Sequence, residues 1–90
     1  YGHAGNGNLH LRLLIDFASK ESNVLMDELA DKVFRHICSI NGSISGEHGD
    51  GMLRTKYIPM MYGSKMYEVF KHIKSIFDDK NIMNPGKKIL

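Results

Sequence analysis

The sequence predicts an α+β fold: a short antiparallel sheet edge packed by two long helices, as a fragment of a larger domain. Three observations carry this expectation. Apolar residues alternate over 9–17, recur every three or four positions over 25–40, and do so again over 66–77. Alternation is the period of a half-buried strand, and spacing by threes and fours is that of an amphipathic helix.

Residues 2–8 hold Gly2, Gly5 and Gly7 with Asn6 and Asn8. Such a loop can take positive φ and bring backbone close to a ligand. In the strand that follows, Leu9, Leu11, Leu13 and Ile15 face one way, while His10, Arg12, Leu14 and Asp16 face the other. Residues 19–23 read as a turn, with Ser22 or Asn23 as helix N-cap. The first helix carries Leu25, Met26, Leu29, Ala30, Val33, Phe34, Ile37 and Ile40, with Asn41-Gly42 as a left-handed cap. A second glycine loop follows at Gly46, Gly49 and Gly51. Residues 52–62 show no clear period, though Pro59 permits a helix start or a turn. The second helix carries Met66, Val69, Phe70, Ile73, Ile76 and Phe77, and Asn84-Pro85-Gly86 is a turn beyond it.

Ninety residues make at most one small domain, marginal on its own, and Tyr1 stands where a start Met would. We expect a piece of a longer protein. A net charge of +2, dispersed along the chain, argues against nucleic-acid binding, which uses a clustered basic face. Cys38 is the only cysteine, which excludes an internal disulfide and a thiolate-rich metal site. No apolar run approaches a membrane span, and no signal peptide is visible. The expected setting is the cytoplasm, in solution or at a membrane periphery. An open sheet edge and exposed apolar surface would favour self-association of the fragment.

Five histidines are many for this length. On one continuous strand His3 and His10 would face opposite ways, so they meet only if Gly5 and Gly7 bend the chain between them. Two imidazoles and no thiolate suit Zn²⁺, Mn²⁺ or Fe²⁺, and Glu47 would complete a two-His, one-carboxylate set with open positions. The alternative is that these are loop histidines with no shared ligand. His48 adjoins Glu47, and adjacent side chains seldom meet at one atom, so it is either a general base or a solvated loop residue. His36 and His72 lie on helical segments and carry no motif. Neither glycine loop is a nucleotide fingerprint: the first precedes a strand, and the second lacks the lysine of a P-loop. Both loops share a G-x-x-G-x-G frame, but two short copies do not make a repeat.

Tyr1-Gly2-His3-Ala4-Gly5-Asn6-Gly7-Asn8-Leu9-His10 resembles the G-H-x-G-D/N-G-N-x-H motif of FAD-linked oxidases. These are the D-lactate, glycolate and D-2-hydroxyglutarate dehydrogenases of the vanillyl-alcohol-oxidase-like flavoproteins. Gly42 to Gly49 resembles the second motif of that family, and Asn84-Pro85-Gly86-Lys87 the closing one. The resemblance implies that residues 1–90 are part of a C-terminal substrate or cap domain, with the FAD-binding domain upstream. It implies oxidation of a D-2-hydroxy acid to a 2-oxo acid. It implies His3, His10 and Glu47 as ligands of a divalent metal, Zn²⁺ or Mn²⁺, with His48 as general base. Asn8 would lie near substrate and flavin, and Asn84 would approach the flavin. An iron–sulfur domain or subunit is an expected partner of the branch with Gly46-Glu47-His48-Gly49-Asp50-Gly51.

Two positions depart from the pattern. Asn6 replaces a frequent Asp, a mild change in a turn. Arg12 stands where the D-2-hydroxyglutarate type often has a substrate-facing Asn, which leaves the substrate open. Its guanidinium could hold a substrate carboxylate as a bidentate fork, face solvent, or pair with Asp16. Two readings outside the family use the same residues: a non-flavin metalloenzyme, and a non-catalytic α+β association module.

Overall fold

The computed structural model describes residues 1–16 and 18–90. A 3₁₀ turn at Ala4–Asn6 is followed by four helices: α1 (Lys20–Ser39), α2 (Gly51–Thr55), α3 (Ile58–Tyr62) and α4 (Ser64–Phe77). Among the described residues there is no strand. The α+β expectation is thereby corrected to an all-helical arrangement.

The strand expected over 9–17 fails for a physical reason; its last position lies outside the described residues. An alternating pattern says which face a strand would bury, but not what it would pair with. Strand structure needs a ladder of N–H and C=O partners on a neighbour. Among the described residues of this stretch, only His10 N–H makes a cross-segment backbone bond, to Tyr1 C=O at 2.7 Å. Leu9, Leu11, Leu13 and Leu14 stay exposed, Leu14 completely so.

The first long helix forms largely as its periodicity predicts. It begins a turn earlier than expected, because Ser19, not Ser22 or Asn23, is the N-cap. Ser19 is extended (φ −93°, ψ 134°), and its hydroxyl accepts the Ser22 N–H at 3.4 Å. The C-terminus closes as a Schellman motif. Asn41 takes φ 59°, its N–H donates to Cys38 C=O at 3.1 Å, and Gly42 N–H donates to Ile37 C=O at 2.8 Å. Gly42 is required there: a Cβ would lie 2.8 Å from Ile37 Cγ2. Met26, Leu29, Val33, Phe34 and Ile37 turn inward and are half-buried.

Two five-residue helices occupy the stretch without a clear period. Pro59 sits in the first turn of α3, where its missing N–H costs nothing. Gly63, at φ 82°, breaks the chain between α3 and α4. The core is small. Ile58 is 1% exposed and Thr55 is fully buried, with Ile44, Tyr57 and Tyr67 around them. Phe34 of α1 meets Tyr57 edge-on at 4.7 Å, and Tyr62 of α3 meets Phe70 of α4 at 5.2 Å. These contacts join α1 to α3 and α3 to α4.

Beyond α4, Asp78 organises the turn leading to the closing motif. Its buried carboxylate takes the Lys74 ammonium and accepts the backbone N–H groups of Ile82 and Met83, each at 2.9 Å. Among the described residues, no helix is long and apolar enough to cross a membrane.

Candidate metal centre

The bend between His3 and His10 is the 3₁₀ turn. Asn6 and Asn8 N–H groups both donate to His3 C=O, at 2.9 and 3.2 Å, and Gly7 N–H donates to Ala4 C=O at 3.0 Å. Gly7 closes the turn at φ 71°, whereas Gly5 keeps an ordinary conformation. The chain then returns beside its start. Gly2 is needed for that approach, since a Cβ there would lie 2.5 Å from Asn8 O. Both imidazoles thus come to one side of a ten-residue loop.

The second glycine loop brings Glu47 to them. Glu47 Oε1 lies 2.9 Å from His10 Nε2, and Oε2 lies 3.6 Å from His3 Nε2. Gly49 N–H donates to Glu47 C=O at 2.6 Å, a tight turn with His48 at its centre. That turn defeats the expectation that neighbouring side chains diverge: His48 Nε2 stands 3.4 Å from Glu47 Oε1. The His48 ring meets the His10 ring edge-on at 5.8 Å. One ligand atom each from His10, Glu47 and His48 all lie within 4.8 Å of one another. His3 reaches the same carboxylate from its far oxygen. His10 is half-buried, while His3 and His48 are open to solvent. His10, Glu47 and His48 therefore form the set that could hold an ion, whereas the expected ligand His3 stands outside it and approaches only the outer oxygen of Glu47.

The remaining expected residues sit elsewhere. The Asn8 amide packs on the backbone of Gly46, joining the two glycine loops. Arg12 does not pair with Asp16, whose carboxylate instead accepts the Ala18 N–H at 3.0 Å. The Arg12 guanidinium lies 4.7 Å over the Tyr1 ring and donates to its hydroxyl. The opposite arrangement on Tyr1 is a stack with His10, centroids 5.1 Å apart and planes 11° apart. No sequence spacing marks the Tyr1 ring, because its partner His10 lies nine positions on and they meet only in space. Asn84, at φ 51°, helps to line an apolar cavity of about 520 Å³ between α3, α4 and the C-terminal tail. It takes no part in the His/Glu cluster. His36 and His72 are exposed on α1 and α4.

The model of the family described as FAD linked oxidases, C-terminal domain, matches residues 1–88. The chain belongs to that family. It is 34% identical over 87 residues to glycolate oxidase subunit GlcD of Bacillus subtilis (strain 168), covering 97% of this chain and 18% of that protein. It is 33% identical over 87 residues to D-2-hydroxyglutarate dehydrogenase of Escherichia coli (strain K12), covering 97% and 8%. It is 36% identical over 87 residues to the mitochondrial cytochrome D-lactate dehydrogenase of Arabidopsis thaliana, covering 97% and 15%. The chain thus spans less than a fifth of each of these relatives. No solved structure matches it. In this member of the FAD-linked oxidase family, the two glycine loops meet at Glu47.

Proposed function

We propose that this chain supplies the metal-holding and proton-handling side chains of an FAD-dependent enzyme that oxidises a D-2-hydroxy acid to a 2-oxo acid. One observation carries the reading. The His10 and His48 imidazoles and the Glu47 carboxylate converge from two loops 37 positions apart at His10 and Glu47, with His3 3.6 Å from the outer carboxylate oxygen. The three relatives are named for glycolate, D-2-hydroxyglutarate and D-lactate, all 2-hydroxy acids.

The donor set fits a divalent cation such as Zn²⁺ or Mn²⁺: imidazole and carboxylate, no thiolate, and a solvent-facing side left for substrate. His3, His10 and Glu47 would hold it, and such a cation would supply Lewis-acid polarisation of the substrate hydroxyl. His48 takes the hydroxyl proton on its Nε2. Its place beside Glu47 suits this task, because a carboxylate stabilises the imidazolium that results. The Arg12 guanidinium, braced by Tyr1, presents a positive charge for a substrate carboxylate.

FAD would supply the acceptor for the two electrons released. The fit of this chain to it is partial: Asn84 lines an apolar cavity together with Lys74, Lys87 and Lys88. A flavin-binding domain outside these residues would hold the rest, and an iron–sulfur domain or subunit would be one route for electrons onward.

The test is elemental analysis and turnover of the full-length protein. Glu47→Gln should lower the metal content, while His48→Asn should keep metal and flavin and lose turnover by about 10²–10⁴-fold. Unchanged metal in Glu47→Gln would remove the metal centre, and near-normal turnover in His48→Asn would remove the general base.

A further inference from the structure

Asp50 follows Glu47 and His48 in the second glycine loop and is buried, 8% exposed. It stands at the N-cap position of α2, yet its carboxylate makes no capping bond. A buried carboxylate needs a partner to stay charged. That partner comes from the far end of the chain: the Lys88 ammonium donates to Asp50 Oδ2, across 38 positions.

Lys88 is pinned from a second direction. Its backbone takes φ 63°, which a lysine adopts only where its surroundings enforce it. Its N–H donates to Thr55 Oγ1 at 2.9 Å, and the Thr55 hydroxyl donates to Gly51 C=O at 2.6 Å. Two residues on, Leu90 N–H donates to the Tyr67 hydroxyl of α4 at 3.0 Å. From the other side Arg54 donates to Gly49 C=O at 2.9 Å. Gly49, Asp50 and Gly51 are thus each held, directly after Glu47 and His48 in the chain.

We propose that the C-terminal tail is a strap on the Glu47–His48 loop, with Lys88 as its positioning residue. The Lys88 ammonium pairs with Asp50 and not with a member of the His/Glu cluster. It fixes the loop that carries the carboxylate, so the geometry of the cluster depends on a residue 41 positions from Glu47 (88 less 47). The consequence for metal affinity rests on the metal centre proposed above; the consequence for loop order does not.

Two measurements on the full-length protein separate these. The first is amide hydrogen exchange of residues 46–51, and the second is Zn²⁺ affinity by chelator competition. Lys88→Met keeps the side-chain stem and removes the ammonium. It should speed exchange in the loop, leave α1 unchanged, and weaken Zn²⁺ binding about tenfold. Lys88→Arg should restore both. Asp50→Asn, which leaves Lys88 in place, should reproduce the Lys88→Met result and serves as the second variant if that protein folds poorly. Unchanged loop exchange in both variants overturns the strap, as does an equal rise in α1. A wild-type protein that takes up no Zn²⁺, together with faster loop exchange in the two variants, supports the strap and defeats the metal centre.

Discussion

The amide of Asn8 lies against the backbone of Gly46, with Oδ1 only 2.9 Å and Cγ 3.0 Å from where a Cβ would stand. This is where the two glycine loops touch besides the His/Glu cluster. A methyl group there meets the whole amide rather than one flexible tip, so Asn8 must move away. Gly46→Ala should therefore separate the loops while leaving the helices intact. The expected cost is about 1–3 kcal/mol, the range for overpacking a close contact. Urea unfolding would give the stability change, and a crystal structure would show Asn8 displaced. A variant with native stability and an unmoved Asn8 would refute the packing.

The small core concentrates its energy in few residues. Ile58 is 1% exposed at the start of α3, the helix that α1 and α4 both pack upon. Ile58→Ala should cost about 2–5 kcal/mol, the cost of removing buried methyl groups and leaving a cavity. Phe77→Ala should cost far less, because Phe77 is 76% exposed although it fits the apolar period of α4. Equal losses in a denaturant titration would overturn this division.

That contrast shows what periodicity encodes. The three-and-four spacing of Met26, Leu29, Val33 and Ile37 correctly marks a helix and its inward stripe. The same spacing in Val69, Ile73, Ile76 and Phe77 marks α4 equally well, yet those side chains remain exposed. A pattern fixes the local geometry of a segment and is silent on what covers it. The leucines of 9–16 fail for the same cause, since alternation carries no information about a partner for the backbone. The helices α2 and α3 are too short to show a period at all. In the site, His3, His10, Glu47 and His48 were legible as members of glycine-rich motifs, whereas their spacing alone left solvated loop histidines open. Tyr1, Thr55 and Lys88 were not legible: their partners lie far along the chain or on stacked rings, where no local pattern reaches.

The histidines of the cluster should not be equivalent. His10 is half-buried, stacked by Tyr1, and bonded at 2.9 Å to Glu47, while His3 is exposed and 3.6 Å away. A ligand held in place loses less entropy on binding than one that must be ordered. In the proposed metal centre His10→Ala should thus lower Zn²⁺ affinity more than His3→Ala. Tyr1→Leu, which removes the stack and leaves every donor, should give a loss smaller than either. Chelator competition on the three variants checks the order, and a larger loss in His3→Ala would contradict it.

The turn after α4 should be sensitive to acid through Asp78. The Lys74 ammonium bonded to it, more than any other influence, holds the Asp78 carboxyl below its ordinary range; burial opposes this, and the Ile82 and Met83 N–H groups assist. A carboxyl whose folded pKa is lowered binds its proton less readily folded than unfolded. Its contribution is therefore complete above the unfolded value of about 3.9, and is lost as pH falls through the lower folded value. Asp78→Asn should melt below the wild type at neutral pH, and the gap should close as the pH drops below about 4. Thermal melts of both proteins from neutral to acid pH test this. A gap that persists unchanged into strong acid would show that the charge on Asp78 contributes nothing, and that its side chain acts only through shape.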